Sequence, residues 1–329
     1  MLKFWSHKYT LQPLTSLGAL AEGKVRSGAL LKIQWPDQKI GYADLHPWPE
    51  LGDAELDAQL AAISKGHLSH LVEQSIWLAR KDAMIRSGGK NAFQGLAKVK
   101  NHFLITDFTR VEDLTIEEIK KQGFTTVKVK VGRRLEDEAK WVEKFLRMHQ
   151  LGVRLDFNSK ATPDSFERFV NSINPALRPR IEYAEDPFAY DPETWAAANQ
   201  LLPLALDQEY DRVQWDKLKA PLPFKVVVIK PARQDMKKAV DHANKFGLKM
   251  VITSALDHPV GIAHALLCAG ELKKFYPNQL LDCGCLSQRS YKANDFSTSM
   301  IVQGSYLVEI PGTGIGFDHL FDKTTWTAL

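Results

Sequence analysis

The sequence has few of the features that mark several large classes of protein. Its 329 residues include only three cysteines, Cys268, Cys283 and Cys285, an odd and sparse set that argues against a disulfide framework and predicts reduced thiols in the core. No run approaches the ~18 consecutive apolar residues of a membrane-spanning helix, and the N-terminus lacks the apolar segment of a secretory signal. We therefore expect a cytoplasmic protein that is not attached to a membrane.

An excess of one charge is missing as well. Lysine and arginine number 43 against 39 aspartate and glutamate residues, for a net charge of +4, and the basic residues are scattered. This distribution predicts neither a nucleic-acid-binding surface nor a polybasic membrane segment. No G-x-G-x-x-G motif follows an early strand, which disfavours a dinucleotide-binding enzyme, and the glycine-rich residues 312–316 are predicted to form a loop. A small molecule is the expected partner, and the composition carries no prediction of oligomeric state.

The first part of the chain, residues 1–98, is predicted to be one α+β domain. Extended segments at 4–14, 29–35 and 40–43 indicate a small antiparallel sheet, and apolar residues at helical spacing indicate helices at 53–63 and 68–85. Residues 15–28 between the first two strands contain Gly and Ser, which suits either a mobile loop or a plain connector.

A second domain, predicted at 99–316, alternates strands and helices. Helix signals include a capping box at Thr115 and Glu118, a helix over 135–150 that ends at Gly152, one that begins at Thr162-Pro163, and one over 235–246 that ends at Gly247. Eight alternating units favour a parallel (β/α) barrel, with a doubly wound open sheet as the competing fold. Residues 317–329 are predicted to pack back on the body of the protein. The eight predicted strands lie at residues 103–106, 126–131, 153–157, 181–184, 204–206, 226–229, 250–253 and 280–283.

The stretch GFTTVKVKVG at 123–132 alternates valine with lysine. A strand with this two-residue period sends its valines to one face and both Lys128 and Lys130 to the other. An ordinary strand facing solvent gives the same pattern, so this stretch alone does not distinguish a site strand from a solvated one.

Polar residues recur at the predicted C-terminal ends of successive strands. Lys130, Asp156, Glu185, Asp207 and Lys230 are separated by 26, 29, 22 and 23 residues, and each interval is about one strand plus one helix. Since a parallel barrel builds its active site at this rim, we expect the five side chains to converge there. Glu182 is an exception, because strand alternation points it outward among the helices.

The three carboxylates would repel one another unless a cation lies between them. All-oxygen ligands favour Mg²⁺ over Zn²⁺, so Asp156, Glu185 and Asp207 are predicted metal ligands. A lysine held near a cation has a depressed pKa and can act as a general base, while metal and ammonium stabilise the enediolate that forms when a proton leaves the carbon beside a carboxylate.

As a set, these motifs resemble the enolase superfamily in its muconate lactonizing subgroup: KVK, DFN, EDP, a terminal Asp and KP follow one another in that family's order. The resemblance covers nearly the whole chain and implies a (β/α)7β TIM-like barrel with an N-terminal α+β capping domain. It implies that Lys130 and Lys230 are the acid/base residues on the two faces of the substrate and that Lys128 is their charged neighbour. The family's fifth strand commonly continues as Asp-Glu-Ser. Here it reads Asp207-Gln208-Glu209, which leaves Glu209 as an alternative third ligand.

Within the subgroup the chain is most similar to the o-succinylbenzoate synthases, through GYADLHPWPELGD, an arginine two residues before Asp156, and TSALDHPVGIAHAL. That resemblance implies Mg²⁺-dependent dehydration of 2-succinyl-6-hydroxy-2,4-cyclohexadiene-1-carboxylate to 2-succinylbenzoate in menaquinone synthesis. Arg154, Asn158 and Ser254 are predicted substrate contacts, with loop 15–28 helping to orient the substrate. Ser254 could instead cap the following helix. The alternatives are an N-succinylamino acid racemase or dipeptide epimerase with the same lysines, or a barrel that binds metabolites without catalysis.

Overall fold

The N-terminal part of the chain forms an antiparallel sheet that packs against two helices. The computed structural model describes residues 2–14 and 24–329. The helices are α1 (Leu56–Ser64) and α2 (His70–Arg86). The sheet has the order β13-β1-β2-β3, so the last strand of the chain pairs with the first. Its strands are β1 (Lys3–Leu11), β2 (Arg26–Gln34), β3 (Ile40–Leu45) and β13 (Thr327–Ala328).

The central part of the chain forms a parallel sheet of seven strands with helices between them. Its order, β10-β9-β8-β7-β6-β5-β4, is the order of the strands along the chain, as in a barrel. The strands are β4 (Phe103–Ile105), β5 (Thr126–Lys130), β6 (Gly152–Asp156), β7 (Ile181–Glu185), β8 (Leu204–Leu206), β9 (Val226–Ile229) and β10 (Lys249–Ile252). The helices that follow them are α3 (Asp113–Lys121), α4 (Leu135–Met148), α5 (Pro163–Asn171), α6 (Pro192–Leu201), α7 (Met236–Phe246) and α8 (Pro259–Phe275).

The remaining elements are short. Residues after the barrel form α9 (Asp295–Thr298), the hairpin β11 (Ile301–Gln303) and β12 (Tyr306–Glu309), and α10 (Asp318–Phe321). Single turns of 3-10 helix lie at Pro49–Leu51, Phe108–Arg110, Arg178–Arg180, Tyr210–Arg212, Trp215–Lys217 and Ser287–Ser290.

The predicted eighth strand is reduced to isolated bridges, yet it joins the two edges of the sheet. On one side Leu280 pairs with Met250 of β10, and on the other Cys283 pairs with Asn101 just before β4. These contacts close the barrel and confirm the TIM-like fold; the doubly wound open sheet is excluded.

The alternation of valine and lysine along β5 corresponds to the two covered faces of a barrel strand. Val127, Val129 and Val131 are buried in the core between the sheet and the helices. Lys128 and Lys130 point into the barrel, where Tyr183 and Val228 belong to a separate apolar cluster. The alternative of an ordinary solvent-facing strand is therefore wrong, because both faces of a barrel strand are covered.

Two of the predicted helix boundaries are wrong and two are confirmed. Helix α3 begins at Asp113 rather than after a capping box at Thr115. Helix α4 ends at Met148, and Gly152 is the first residue of β6. Thr162 caps α5 in a capping box, and Gly247 ends α7 in the left-handed conformation, as predicted.

Glu182 points into the barrel, not outward. The pairing of β6 with β7 shifts register at this point, since Val153 lies opposite Ile181 but Arg154 lies opposite Tyr183. Glu182 is the extra residue of this bulge, and its carboxylate accepts hydrogen bonds from Arg154 and Thr126. A bulge interrupts the two-residue alternation on which the outward prediction depended.

Buried polar contacts connect the end of the chain to the N-terminal sheet. Asp82 of α2 is fully buried and accepts backbone N–H bonds from Tyr42 at 2.9 Å and Ile315 at 2.8 Å. Gly314 has φ +55°, and a Cβ there would lie 1.9 Å from Asp82 Oδ1, so the turn requires glycine. The loop predicted over 312–316 is thus fixed in place, while the domain boundaries at 98 and 316 stay a prediction.

Three other expectations concern the thiols, membrane-spanning helices and the loop between the first two strands. Cys268, Cys283 and Cys285 are free and buried, as predicted. Among the described residues no helix is long and apolar enough to cross a membrane. Most of the predicted loop 15–28 lies outside the described residues, and its described end is extended because β2 begins at Arg26, earlier than predicted.

Candidate active site

An open cavity lies at the C-terminal ends of the barrel strands. This is the rim that the spacing of the polar residues indicated. The predicted site residues that line the cavity are Lys128, Lys130, Asp156, Asn158, Glu185, Asp207, Lys230 and Ser254.

The three lysines differ in how closely they are paired. Lys128 Nζ lies 2.9 Å from Asp156 Oδ2 and donates to Glu185 Oε1 at 2.6 Å. Lys230 Nζ donates to Asp207 Oδ2. Lys130 Nζ lies 3.8 Å from Asp156 Oδ2, so its ion pair is the loosest of the three. Lys128 and Lys230 are thus held by carboxylates, while Lys130 faces the cavity with its charge less closely neutralised by a carboxylate.

Burial and charge shift the pKa values of this cluster in opposite directions. Burial lowers the pKa of Lys130, and the neighbouring ammonium groups of Lys128 and Lys230 lower it further. The pKa of Lys128 is raised, because Asp156 and Glu185 outweigh the cost of burial. Burial raises the pKa of Glu185 to about 7, against the pull of Lys128, and Asp156 and Asp207 raise it further. Burial therefore disfavours the charged forms of Lys130 and Glu185, while Lys128 and Asp156 stabilise each other's charges.

The carboxylates would suit a hard divalent cation if the lysines that pair with them moved away. Within residues 2–14 and 24–329 no group of three or more His, Cys, Asp or Glu side chains is arranged to hold a metal ion, and Lys128 lies between Asp156 and Glu185. Asp156, Glu185 and Asp207 present carboxylate oxygens to the cavity, and Glu185 Oε2 is buried without a hydrogen-bond partner among the described residues. A buried carboxylate oxygen without a partner is costly, and a cation is one of the groups that would satisfy it.

The structure separates Asp207 from Glu209 as the third candidate ligand. Asp207 is 5% exposed and lines the cavity beside Lys230. Glu209 precedes the 3-10 helix Tyr210–Arg212, pairs with Arg212 at 3.0 Å and is not part of the cavity lining. Asp207 is thus the better candidate, as strand alternation indicated.

Asn158 and Ser254 lie at the rim. Asn158 has φ +47° and accepts a hydrogen bond from Gln208 at 3.2 Å. Ser254 Oγ lies 2.6 Å from Ser287 Oγ, and the cap of α8 is His258. The alternative role of Ser254 as a helix cap is therefore wrong, and its contact with a substrate stays a prediction.

Arg154 is the exception among the predicted site residues. It is 1% exposed and is absent from the cavity lining. Its guanidinium donates to Glu182 at 2.7 Å, to the Asp282 carbonyl at 2.6 Å and to His102 Nδ1 at 2.9 Å. The prediction that Arg154 contacts substrate is corrected accordingly, because the inward turn of Glu182 at the bulge holds the arginine below the site.

His102 is a cavity residue that the sequence analysis missed. Arginine can only donate hydrogen bonds, so His102 Nδ1 accepts from Arg154 and its proton lies on Nε2. Burial lowers the pKa of His102, and the charges of Arg154 and Lys128 lower it further. The ring is a neutral donor in the floor of the cavity. Nothing in the sequence around it marks this role, because it depends on a partner 52 residues away.

The N-terminal domain supplies part of the cavity wall. Trp48, Glu50 and Leu51 line the cavity, and Trp48 Nε1 donates to the carbonyl of Ala255 at 3.1 Å. Asp53 and Arg233 form a two-bond ion pair at 2.8 and 3.0 Å that joins the cap to the barrel. The cap sequence GYADLHPWPELGD contains Trp48, Glu50, Leu51 and Asp53, so the resemblance had marked the segment without assigning its contacts.

Comparison with known families and structures agrees with this geometry. Residues 4–85 match the family described as O-succinylbenzoate synthase, N-terminal domain, and residues 111–320 match the family described as Enolase C-terminal domain-like. Among solved structures, the L-Ala-D/L-Glu epimerase from Bacillus subtilis has a TM-score of 0.75 at 16% identity, with 95% of this chain and 97% of that chain covered. The dipeptide epimerase from Enterococcus faecalis, complexed with Mg and the dipeptide L-Leu-L-Tyr, has a TM-score of 0.76 at 17% identity, with 95% and 98% covered. At these identities the two structures establish the fold alone.

Sequence relatives give a finer match. The o-succinylbenzoate synthase of Bdellovibrio bacteriovorus is 44% identical over 329 residues, which is 100% of this chain and 99% of that protein. The o-succinylbenzoate synthase of Aliivibrio salmonicida is 27% identical over 158 residues, 46% of this chain and 48% of that protein. With the first match extending over its whole length, the chain belongs to the o-succinylbenzoate synthase family of lyases, within the enolase superfamily.

Proposed function

We propose that this chain dehydrates 2-succinyl-6-hydroxy-2,4-cyclohexadiene-1-carboxylate to 2-succinylbenzoate, as a step of menaquinone synthesis. The observation that carries the proposal is the 44% identity with an o-succinylbenzoate synthase over the full length of both chains. The cavity supports it, because a loosely paired lysine and three carboxylates face one space at the barrel rim.

Lys130 is the proposed base. Of the three lysines in the cavity it has the longest ion pair, and burial beside Lys128 and Lys230 favours its neutral form. Lys130 would take the proton from the carbon beside the ring carboxylate and return it to the departing hydroxyl group, so that water leaves and the ring becomes aromatic. Positioned proton transfer of this kind typically contributes 10²- to 10⁴-fold to a rate.

Lys230 is proposed to act through its charge. Its ammonium group donates to Asp207, which holds it in place at the wall of the cavity. A fixed cation on the other side of the cavity would stabilise the negative charge that develops when Lys130 removes the proton, and it would contact the face of the ring. Lys128, held by two carboxylates, would keep the charge of the site balanced around Lys130.

Asp156, Glu185 and Asp207 would hold Mg²⁺, with the lysine contacts of the carboxylates rearranging as it binds. The unpartnered Glu185 oxygen and the all-carboxylate donor set support this choice of ion. When bound, the ion would supply electrostatic stabilisation of the negative charge that builds on the substrate carboxylate as the proton leaves the adjacent carbon. The chain's own residues would still perform the proton transfer.

The cavity walls suit a substrate with an apolar ring and polar ends. Trp48, Leu104, Leu256 and Leu286 line the cavity together with the charged cluster. An apolar wall opposite a few placed charges is the usual arrangement of a small-molecule site. We therefore propose a small-molecule carboxylate as substrate, with Ser254 and Asn158 among its contacts.

A spectrophotometric assay of purified protein with the cyclohexadiene carboxylate tests the proposal. We expect turnover that EDTA abolishes and Mg²⁺ restores, and that is lost in Lys130→Ala. Lys225→Ala is the matched control, because Lys225 is an exposed lysine at the opposite end of the strand that leads to Lys230. Lys230→Arg keeps the cation and should retain part of the activity.

Absence of turnover in the wild-type protein would refute the proposed dehydration. Proton exchange into N-succinylamino acids or dipeptides in D₂O would then test racemisation, for which Lys230 must also act as a base and Lys230→Arg should abolish activity. Full activity in Lys130→Ala would refute the assignment of the base.

A further inference from the structure

Asp186 lies directly after Glu185 and has no place in the chemistry described above. It is 1% exposed. One of its carboxyl oxygens accepts the backbone N–H of Asp207 at 3.0 Å, and the other accepts the backbone N–H of Gln208 at 2.7 Å. Both oxygens of this buried side chain are therefore used to hold the backbone of the next loop.

The backbone of Asp186 holds the neighbouring loops as well. Its φ is +39°, a left-handed conformation that few residues other than Gly, Asn and Asp adopt readily. Its carbonyl accepts the N–H of Ser159 at 2.7 Å, and its N–H donates to the Ala205 carbonyl at 3.1 Å. One residue thus connects the segments that follow β6, β7 and β8. Asp156 and Glu185 are the last residues of the first two strands, and Asp207 directly follows the third.

The loop after β8 depends on these hydrogen bonds because the strand pairing ends just before it. Strand β8 is only three residues long, and its pairings with β7 and β9 involve Leu204, Ala205 and Leu206. Asp207 lies one residue beyond that ladder. The carboxyl group of Asp186 takes the place of a neighbouring strand for the N–H groups of Asp207 and Gln208.

We propose that Asp186 is a positioning residue that fixes the direction of the Asp207 carboxylate and thereby sets the affinity of the site for a divalent cation. The inference rests on the proposed function, because it takes Asp156, Glu185 and Asp207 as the ligands. Residues that orient metal ligands typically change metal affinity 10- to 100-fold when they are replaced.

Asp186→Asn is the informative variant. Asparagine tolerates the left-handed backbone and has the same shape, but its side chain has one acceptor oxygen where two are needed, and its NH₂ group would face a backbone N–H. Asp191→Asn is the matched control, because Asp191 also accepts a backbone N–H, that of Thr194 at 2.8 Å, on an exposed helix end outside the cavity lining. Asp186→Ala removes both acceptors.

Two measurements separate positioning from general loss of structure. Binding of Mn²⁺ by electron paramagnetic resonance gives the metal affinity without turnover. Hydrogen exchange of the peptide that contains Asp207 and Gln208, measured before metal is added, reports on the two hydrogen bonds that Asp186 accepts. We expect Asp186→Asn to weaken Mn²⁺ binding by about 10- to 100-fold and to speed exchange of these two amides, with saturating Mg²⁺ restoring much of kcat. Asp191→Asn should behave as wild type in both measurements.

Wild-type Mn²⁺ affinity in Asp186→Asn would overturn the inference, whether or not the two amides exchange faster. A loss of affinity of the same size in Asp191→Asn would also overturn it, since the effect would then follow from any lost cap. Failure of the proposed function is distinguishable: a wild-type protein that binds Mn²⁺ but shows no turnover would refute the dehydration and leave the positioning inference to the Asp186→Asn comparison. A wild-type protein that binds no Mn²⁺ would overturn both.

Discussion

Replacing Arg154 tests whether this residue is structural or contacts the substrate. In Arg154→Met the three groups that its guanidinium holds, namely the Glu182 carboxylate, the Asp282 carbonyl and His102 Nδ1, lose their donor. Leaving a buried partner unsatisfied costs ~1 to 3 kcal/mol, and breaking a buried ion pair costs ~3 to 5 kcal/mol. The Glu182 side chain is 32% exposed and keeps its bond from Thr126, so water can replace part of the loss. We therefore expect a loss of about 3 kcal/mol in the free energy of unfolding, at the lower end of that range.

Urea unfolding of the wild type, Arg154→Met and Glu182→Gln gives the comparison. Glu182→Gln keeps a neutral hydrogen bond to the guanidinium and should lose less, about 1 kcal/mol. The folded fraction of Arg154→Met should keep a KM close to that of the wild type, since Arg154 does not line the cavity. A raised KM with unchanged stability would refute the structural role and restore the substrate contact that the sequence suggested.

Three further predictions concern the base, the cap and a buried acid. Lys130→Ala should lower kcat by about 10²- to 10⁴-fold in the spectrophotometric assay while leaving the urea midpoint near that of the wild type, and a kcat within a few-fold of wild type would argue against its role. Asp53→Asn weakens the ion pair with Arg233 at the cap and should raise KM more than it lowers kcat in steady-state kinetics; an unchanged KM would show that the cap does not depend on this pair. Burial raises the pKa of Asp257 from 3.8 to about 7, so the folded state holds a proton that the unfolded state releases. This contribution to stability is complete below pH 4 and is lost as the pH rises through 7. Asp257→Asn should reduce the slope of the unfolding free energy across this range, and the buried neighbour Asp44, whose pKa is also raised, should account for the slope that is left.

The rim of the barrel could be predicted from the sequence because its signals are local. Alternation along β5 separates valines from lysines, and the interval of one strand plus one helix returns each polar residue to the same end of the barrel. Lys130, Asp156, Glu185 and Asp207 could be placed together on this basis, since parallel strands bring their C-terminal ends to one edge.

The contacts of Arg154 could not be predicted in the same way. Strand alternation correctly sends Arg154 into the barrel, but whether it reaches the cavity depends on Glu182, whose direction is set by a bulge in the pairing of β6 with β7. A bulge changes the register between two strands and leaves little trace in either one alone.

The sequence by itself determined that the motif lysines and carboxylates meet at the barrel rim, and the same motifs indicated the family. Only the tertiary structure decided how those residues are paired: Lys128 between two carboxylates, Lys130 loosely held, and Asp186 fixing the loop of Asp207. The physical reason is that periodicity along a strand sets the direction of a side chain, whereas the partner of a buried charge is set by strand register and loop contacts between residues far apart in the chain.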